Sequence, residues 1–190
     1  MTRTPNTKFN INRHRKSIRL QGYDYSLDGA YFVTMVTYQR DMLFGKIENG
    51  EMLLSDFGII ADECWLAIPE HFPNVELGAY AIMPNHVHGI IVIVGDGRGT
   101  IDVGATHASP LQKQPNGPAP HSLGTIIGSF KSAVTKRIGR EHNATGIWQR
   151  NYYEHIIRDE KDLRNKTDYI NANPMLWDED DDNPINVQSS

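Results

Sequence analysis

Disulfide cross-linking is closed to this chain. Cys64 is the only cysteine among 190 residues, which excludes a disulfide scaffold and favours a reducing compartment. Set among Ile60, Trp65 and Ile68, that thiol reads as a small core side chain. Long apolar runs are missing too. No stretch reaches the roughly 18 uninterrupted apolar residues of a membrane span, and the first residues lack the apolar core of a secretion signal. The expected setting is soluble and cytoplasmic, with no membrane partner.

An excess of positive charge is also absent. The formal net charge of −4 argues mildly against a nucleic-acid partner, but the average hides two opposite ends. Residues 1–22 carry Arg3, Lys8, Arg13, Arg15, Lys16 and Arg19 with no acid, whereas Asp178, Glu179, Asp180, Asp181 and Asp182 form an acidic run. Lys131, Lys136, Arg137 and Arg140 add a basic cluster of the kind that supplies sequence-independent affinity for DNA. A solvated helix face accounts for that cluster equally well.

What is present fits one domain of ordinary size, with enough apolar residues to bury a core unaided. The reading divides it into a basic N-terminal arm over 1–22, a domain over 23–177 and an acidic, disordered tail over 178–190. Alternation in Tyr31-Phe-Val-Thr-Met-Val-Thr-Tyr38 predicts a strand. Ser55 is a suitable N-cap for a helix spaced through Ile60, Cys64 and Ile68. Two β-rich runs, Val75 to Met83 and His86 to Val94, meet at Pro84-Asn85 as a tight hairpin. Residues 95–121 are rich in Gly, Pro, Ser and Thr and read as a long loop insertion.

Ser122 caps a second helix with an apolar face of Leu123, Ile126, Ile127, Phe130, Val134 and Ile138; a strand from Ile147 to Arg158 follows. A last helix starts near Asp159 and ends by Asn173, because Pro174 disfavours helical geometry in the residue before it. The order β-α-β-β-α-β plus a C-terminal helix predicts an α+β, ferredoxin-like fold with an antiparallel sheet. Fold alone assigns no function.

In Met83-Pro-Asn-His-Val-His-Gly-Ile90 the two histidines stand two apart on a strand, so both imidazoles leave the same face and can share a metal ion. Alone, His-x-His arises by chance and reads first as structural. Its placement at a hairpin, ahead of the apolar run Ile90 to Val94, gives it weight. A third ligand must come from elsewhere. On the last helix Leu163, Thr167 and Ile170 trace a core-facing stripe, with Asp162, Asn165, Lys166, Tyr169 and Asn173 on a polar side. Tyr169 and Asn173, four apart, bring a phenol and an amide oxygen to one helix face.

Tyr152 and Tyr153 lie in the preceding strand, where one packs inward and the other is exposed. Trp148 reads as core packing before base stacking; Arg150 and Arg158 either contact phosphate or pair with Glu154 and Asp159. His14, His71, His107, His121, His142 and His155 lack partners at useful spacing.

Taken together, Gly29-Ala-Tyr-Phe-Val-Thr34, Met83-Pro-Asn-His-Val-His-Gly-Ile90, Ser129-Phe-Lys131, Trp148-Gln-Arg150 and Tyr169-Ile-Asn-Ala-Asn-Pro174 resemble the REP-associated tyrosine transposases. These are relatives of the small insertion-sequence transposases that act on single-stranded DNA through an HUH motif. The resemblance spans about residues 17–177. It implies that His86 and His88 are the HUH histidines, that Tyr169 is the catalytic tyrosine and that Asn173 is the third metal ligand. It also implies a divalent metal ion, Mg or Mn, and metal-dependent nicking and rejoining of single-stranded or hairpin DNA through a 5′-phosphotyrosine.

A homodimer is implied as well, with Arg13, Arg15, Lys131, Trp148, Arg150 and Arg158 as DNA-binding candidates. Two other classes compete: a repeat-DNA-binding regulator that has lost catalysis, and a metal-dependent hydrolase in which the histidine pair activates water.

Overall fold

The computed structural model describes residues 28–95, 121–180 and 182–187. The expected arm over 1–22, with Arg13 and Arg15, and nearly all of the 95–121 insertion lie outside the described residues. Four strands form the main sheet: β1 (Gly29–Val36), β4 (Val75–Met83), β5 (His86–Ile93) and β6 (Tyr153–Ile157). Their spatial order is β4-β5-β1-β6 and every pairing is antiparallel, the arrangement expected of a split βαβ fold. A hairpin of β2 (Gly45–Glu48) and β3 (Glu51–Leu54) precedes α1 (Asp56–Leu66) and a short α2 (Ile68–His71). The remaining helices are α3 (Leu123–His142), α4 (Glu160–Ala172) and α5 (Pro184–Val187). Among the described residues no helix is long and apolar enough to cross a membrane.

The helix starts follow local chemistry. Ser55, Ser122 and Asp159 each turn a side-chain oxygen onto a backbone N–H of the first turn, of Gly58, Thr125 and Asp162 respectively, satisfying donors that the helix leaves open. Helices α1 and α3 cover one face of the sheet, on a core that includes Tyr31, Val33, Met35, Val87, Ile91, Trp65 and Phe130. The opposite face is thinner: Phe32, Ile90 and Ile170 are buried there, beside Ala79, Ala81, Val92 and Ile157. A register shift between Leu77 and Tyr80 inverts the alternation along β4. Val75 and Leu77 before the shift, and Tyr80 and Ile82 after it, therefore share the α1–α3 core.

Gly89 shows how tightly β5 is held. A Cβ at this position would lie 2.3 Å from the Trp65 ring, so the indole occupies the volume that any other residue would need.

Three sequence expectations change. The strand expected over 147–158 is regular only from Tyr153. Upstream, the chain pairs with β1's end only through an isolated bridge between Thr37 and Trp148; between that bridge and β6, Lys131 Nζ donates to the carbonyls of Gln149 (2.5 Å) and Asn151 (3.3 Å), and Trp148 packs on Phe44 and Phe130. Leu163, expected to face the core, is 38% exposed, and Ile170 is the buried residue of α4.

The acidic segment after Trp177, expected to be a disordered tail, folds back onto the domain. Trp177 and Asn183 are buried, Asn183 donates to the Trp177 carbonyl, and Arg40 pairs with Asp182. These contacts offset the repulsion among neighbouring carboxylates, and the boundary expected at Trp177 falls inside a packed turn.

Substituting Gly89→Ala is expected to lower stability by about 1–3 kcal/mol, the usual cost of overpacking, read as a lower urea midpoint with an unchanged denaturant slope.

Candidate active site

His86 and His88 project from β5 onto the face that α4 covers, beside Phe32 and Thr34 of β1. Both are buried, with their ring centroids 4.3 Å apart. Burial pushes the His86 imidazole down to about 3, an effect that Asn173 partly opposes, and pushes His88 well below its ordinary value. Both rings are therefore neutral at physiological pH, the state in which a nitrogen lone pair is free to bind a cation.

Hydrogen bonds fix which nitrogen that is. Asn85 Nδ2 donates to the carbonyls of Arg40 (3.2 Å) and Asp182 (2.7 Å), so its Oδ1 is the acceptor facing His86 Nδ1 at 2.9 Å. The His86 proton sits on Nδ1, and Nε2 carries the lone pair. His88 Nδ1 lies 2.8 Å from Thr34 Oγ1, leaving its Nε2 directed toward the Tyr169 hydroxyl at 3.4 Å.

Tyr169 and Asn173 reach this cluster from α4. The Tyr169 ring packs edge-on against His88 (5.2 Å) and Phe32 (6.0 Å), yet the residue is 43% exposed. Asn173, the C-cap of α4, is buried. Its Nδ2 donates to Asp180 Oδ2 at 2.8 Å, which makes Oδ1 the acceptor. His86 Nε2 and Asn173 Oδ1 are buried without a hydrogen-bond partner of good geometry. Two buried acceptors with no donor are costly, and a cation held between them would satisfy both. The donor set fits a divalent metal. Side-chain ligand atoms of His86, His88 and Asp180 also lie within 4.8 Å of one another.

Asp180 is the residue that sequence reasoning missed. It stands among five consecutive acids beyond a helix-ending proline, where no periodicity singles one out. His155 also acquires a partner: its Nε2 lies 2.8 Å from Asp162 Oδ2, tying β6 to α4. Lys166, one turn before Tyr169, sets its ammonium 4.9 Å from the Phe32 ring centroid.

The DNA-binding candidates divide into separate places. Lys131, Trp148 and Arg150 line one open groove of about 590 Å³, with Ser132, Thr135, Lys136 and Gln149. The Lys131 ammonium lies 5.8 Å from the Trp148 ring centroid. Burial pushes Lys131 down to about 8. Trp148 is a wall of this groove as well as a core residue, since it packs on Phe44 at 5.1 Å. Arg158 is exposed just past β6. Tyr153 is exposed with its ring 6.4 Å from Phe32, and Tyr152 packs toward the main core.

No family model matches the chain. A Haemophilus influenzae protein of uncharacterised function is 41% identical over 179 residues, covering 92% of this chain and 96% of its own length. A candidate REP-associated tyrosine transposase from the same organism is 28% identical over 162 residues, covering 80% of this chain and 73% of its own. Among solved structures, a REP-associated tyrosine transposase bound to a REP hairpin superposes with a TM-score of 0.56 at 19% identity. That match covers 85% of this chain and 74% of the other. The chain is thus similar in sequence to a relative that carries this family's name and similar in fold to a solved member of it. The likeness to the solved structure speaks to the fold. In this chain the buried histidine pair and the half-exposed tyrosine of the resemblance meet at one cluster.

Replacing Thr34 by Val leaves a buried imidazole nitrogen without its partner. The expected cost is about 1–3 kcal/mol, measured as a lower melting temperature of the metal-free protein.

Proposed function

We propose that this protein nicks and rejoins single-stranded DNA by metal-dependent transesterification, with Tyr169 as nucleophile and hairpin or palindromic repeat DNA as substrate. The observation that carries this reading is the approach of the Tyr169 hydroxyl to within 3.4 Å of His88 Nε2, on a ring that stays open to solvent.

His86, His88 and Asn173 would hold a divalent cation, magnesium or manganese. When bound, such an ion polarises a phosphate and favours ionisation of a nearby phenol, whose ordinary pKa is about 10. Tyr169 supplies the oxygen. Attack on phosphorus forms a phosphotyrosine at the 5′ end, while the bond to the 3′ oxygen breaks and a free 3′-hydroxyl departs. The exposed edge of the phenol gives its proton a path to water. Return attack by a 3′-hydroxyl reverses these bond changes and rejoins strands without ATP. Asn85 holds the His86 imidazole in the tautomer that keeps its Nε2 lone pair on the site side, and Thr34 engages His88 Nδ1 so that its Nε2 faces the site.

Lys131, Trp148 and Arg150 offer a strand a cation, an aromatic face and a guanidinium along one groove, features suited to unpaired nucleic acid. Arg158 would add a phosphate contact, and Arg13 and Arg15 are assigned the same role from sequence. A cytoplasmic setting fits an enzyme acting on genomic repeats. A homodimer belongs to this reading through the family resemblance, although the tyrosine, both histidines and Asn173 all come from one chain.

The test uses a labelled single-stranded hairpin with manganese. Wild type is expected to yield a denaturant-resistant protein–DNA adduct, and both Tyr169→Phe and chelation of the metal are expected to abolish it. An adduct in the Phe variant would assign the nucleophile to another residue. Cleavage without adduct would indicate a hydrolase, and binding without cleavage a regulator.

The groove makes a separate prediction. With its ammonium near 8, Lys131 passes from mostly charged to mostly neutral between about pH 7 and 9. Hairpin affinity is expected to fall across that range, and Lys131→Arg, which stays charged, is expected to flatten the profile.

A further inference from the structure

We infer that Asp180 is a further ligand of the divalent cation, supplying the negative charge that the two imidazoles and the Asn173 amide lack. The inference rests on the metal-binding reading above and extends it to a residue of the acidic C-terminal segment.

Asp180 is 8% exposed, a burial that carboxylates adopt only when paired or coordinated. Its oxygens meet two donors: Oδ2 accepts from Asn173 Nδ2 at 2.8 Å, and Oδ1 accepts from the Asp182 backbone N–H at 2.6 Å. Neither donor is a cation, and each carboxylate oxygen has more than one lone pair. His86 Nε2 and Asn173 Oδ1, both in nearly water-free positions, lack donors. Ligand atoms of Asp180, His86 and His88 fall within 4.8 Å of one another, a spread that one ion can bridge with small side-chain adjustments. A site of two neutral imidazoles and an amide would bring a doubly charged ion into a buried space with no compensating charge. Adding a carboxylate raises affinity, because ligand charge count is a main determinant of divalent-cation binding. It also shifts the donor set toward oxygen, which suits magnesium and manganese.

The segment is built to hold the carboxylate there. Trp177 is buried with its ring 6.0 Å from His86, Asn183 donates to the Trp177 carbonyl, and Asn85 donates to the Asp182 carbonyl. Asn85 thus contacts both the imidazole of His86 and the turn that follows Asp180.

The test is a manganese titration of the full chain without DNA, reading free Mn²⁺ by its electron paramagnetic resonance signal. Asp180→Asn retains a side-chain acceptor for Asn173 Nδ2 and removes the charged ligand. Its dissociation constant is expected to rise at least about tenfold. Asp178→Asn removes the same charge from an exposed position two residues away and is expected to bind like wild type. The melting temperature of each metal-free protein reports whether the variant folds.

Binding by Asp180→Asn within about twofold of wild type, with His86→Asn binding lost, would overturn the role of Asp180 and leave the metal-binding reading intact. An equal loss in Asp178→Asn and Asp180→Asn would also overturn it, because surface charge would then account for the effect. Absence of manganese binding in wild type would overturn the metal-binding reading itself.

Discussion

Successive side chains along β5 leave opposite faces of the sheet, and the two jobs of this protein are divided by that alternation. Val87, Gly89 and Ile91 go to the side of α1 and α3, where Trp65 fills the space above Gly89. His86, His88 and Ile90 go to the side of α4. A slip of one residue would exchange the faces, placing imidazoles in the apolar core and a valine beside the tyrosine. The absence of a side chain at Gly89 lets Trp65 close down on that register, so the larger core secures a site on the opposite face of the sheet.

The second constraint is electrostatic. A buried cluster of neutral acceptors is unfavourable unless its hydrogen bonds are assigned in advance. Asn85 makes that assignment at the turn. By committing its amide nitrogen to two carbonyls it fixes its own oxygen, then the His86 proton, and finally the free lone pair. Asn173 repeats the device on the other side, with its nitrogen committed to Asp180. Two asparagines orient the cluster by the same means, one in a two-residue hairpin turn and one at a helix end.

The parts of this arrangement that follow a period were legible in the sequence: the His-x-His pair on a strand, the i, i+4 relation of Tyr169 and Asn173, the Ser55 and Ser122 caps, and the order of the four sheet strands. What escaped has no period. Asp180 is one of five acids in a row, and its burial depends on Trp177 folding back beside His86. Each strand of the β2–β3 hairpin is four residues long and contains no fully buried residue, so the alternation in Gly45–Glu48 is too short to stand out in the sequence. Leu163 was misread because α4 meets the sheet chiefly through Ile170 opposite the small side chains of Ala79 and Ala81. A helical stripe implies contact along its whole length, and here the contact is confined to one end.

That limited contact bears on Tyr169, the proposed nucleophile. A helix with one buried apolar residue leans on polar tethers: the His155–Asp162 pair to β6 and the Asn173–Asp180 hydrogen bond to the segment that follows. The reach of the Tyr169 phenol is therefore governed by polar contacts that salt screens, whereas the sheet beneath it is governed by packing, which responds little to salt. Conditions that leave the fold intact can thus retune where the phenol rests.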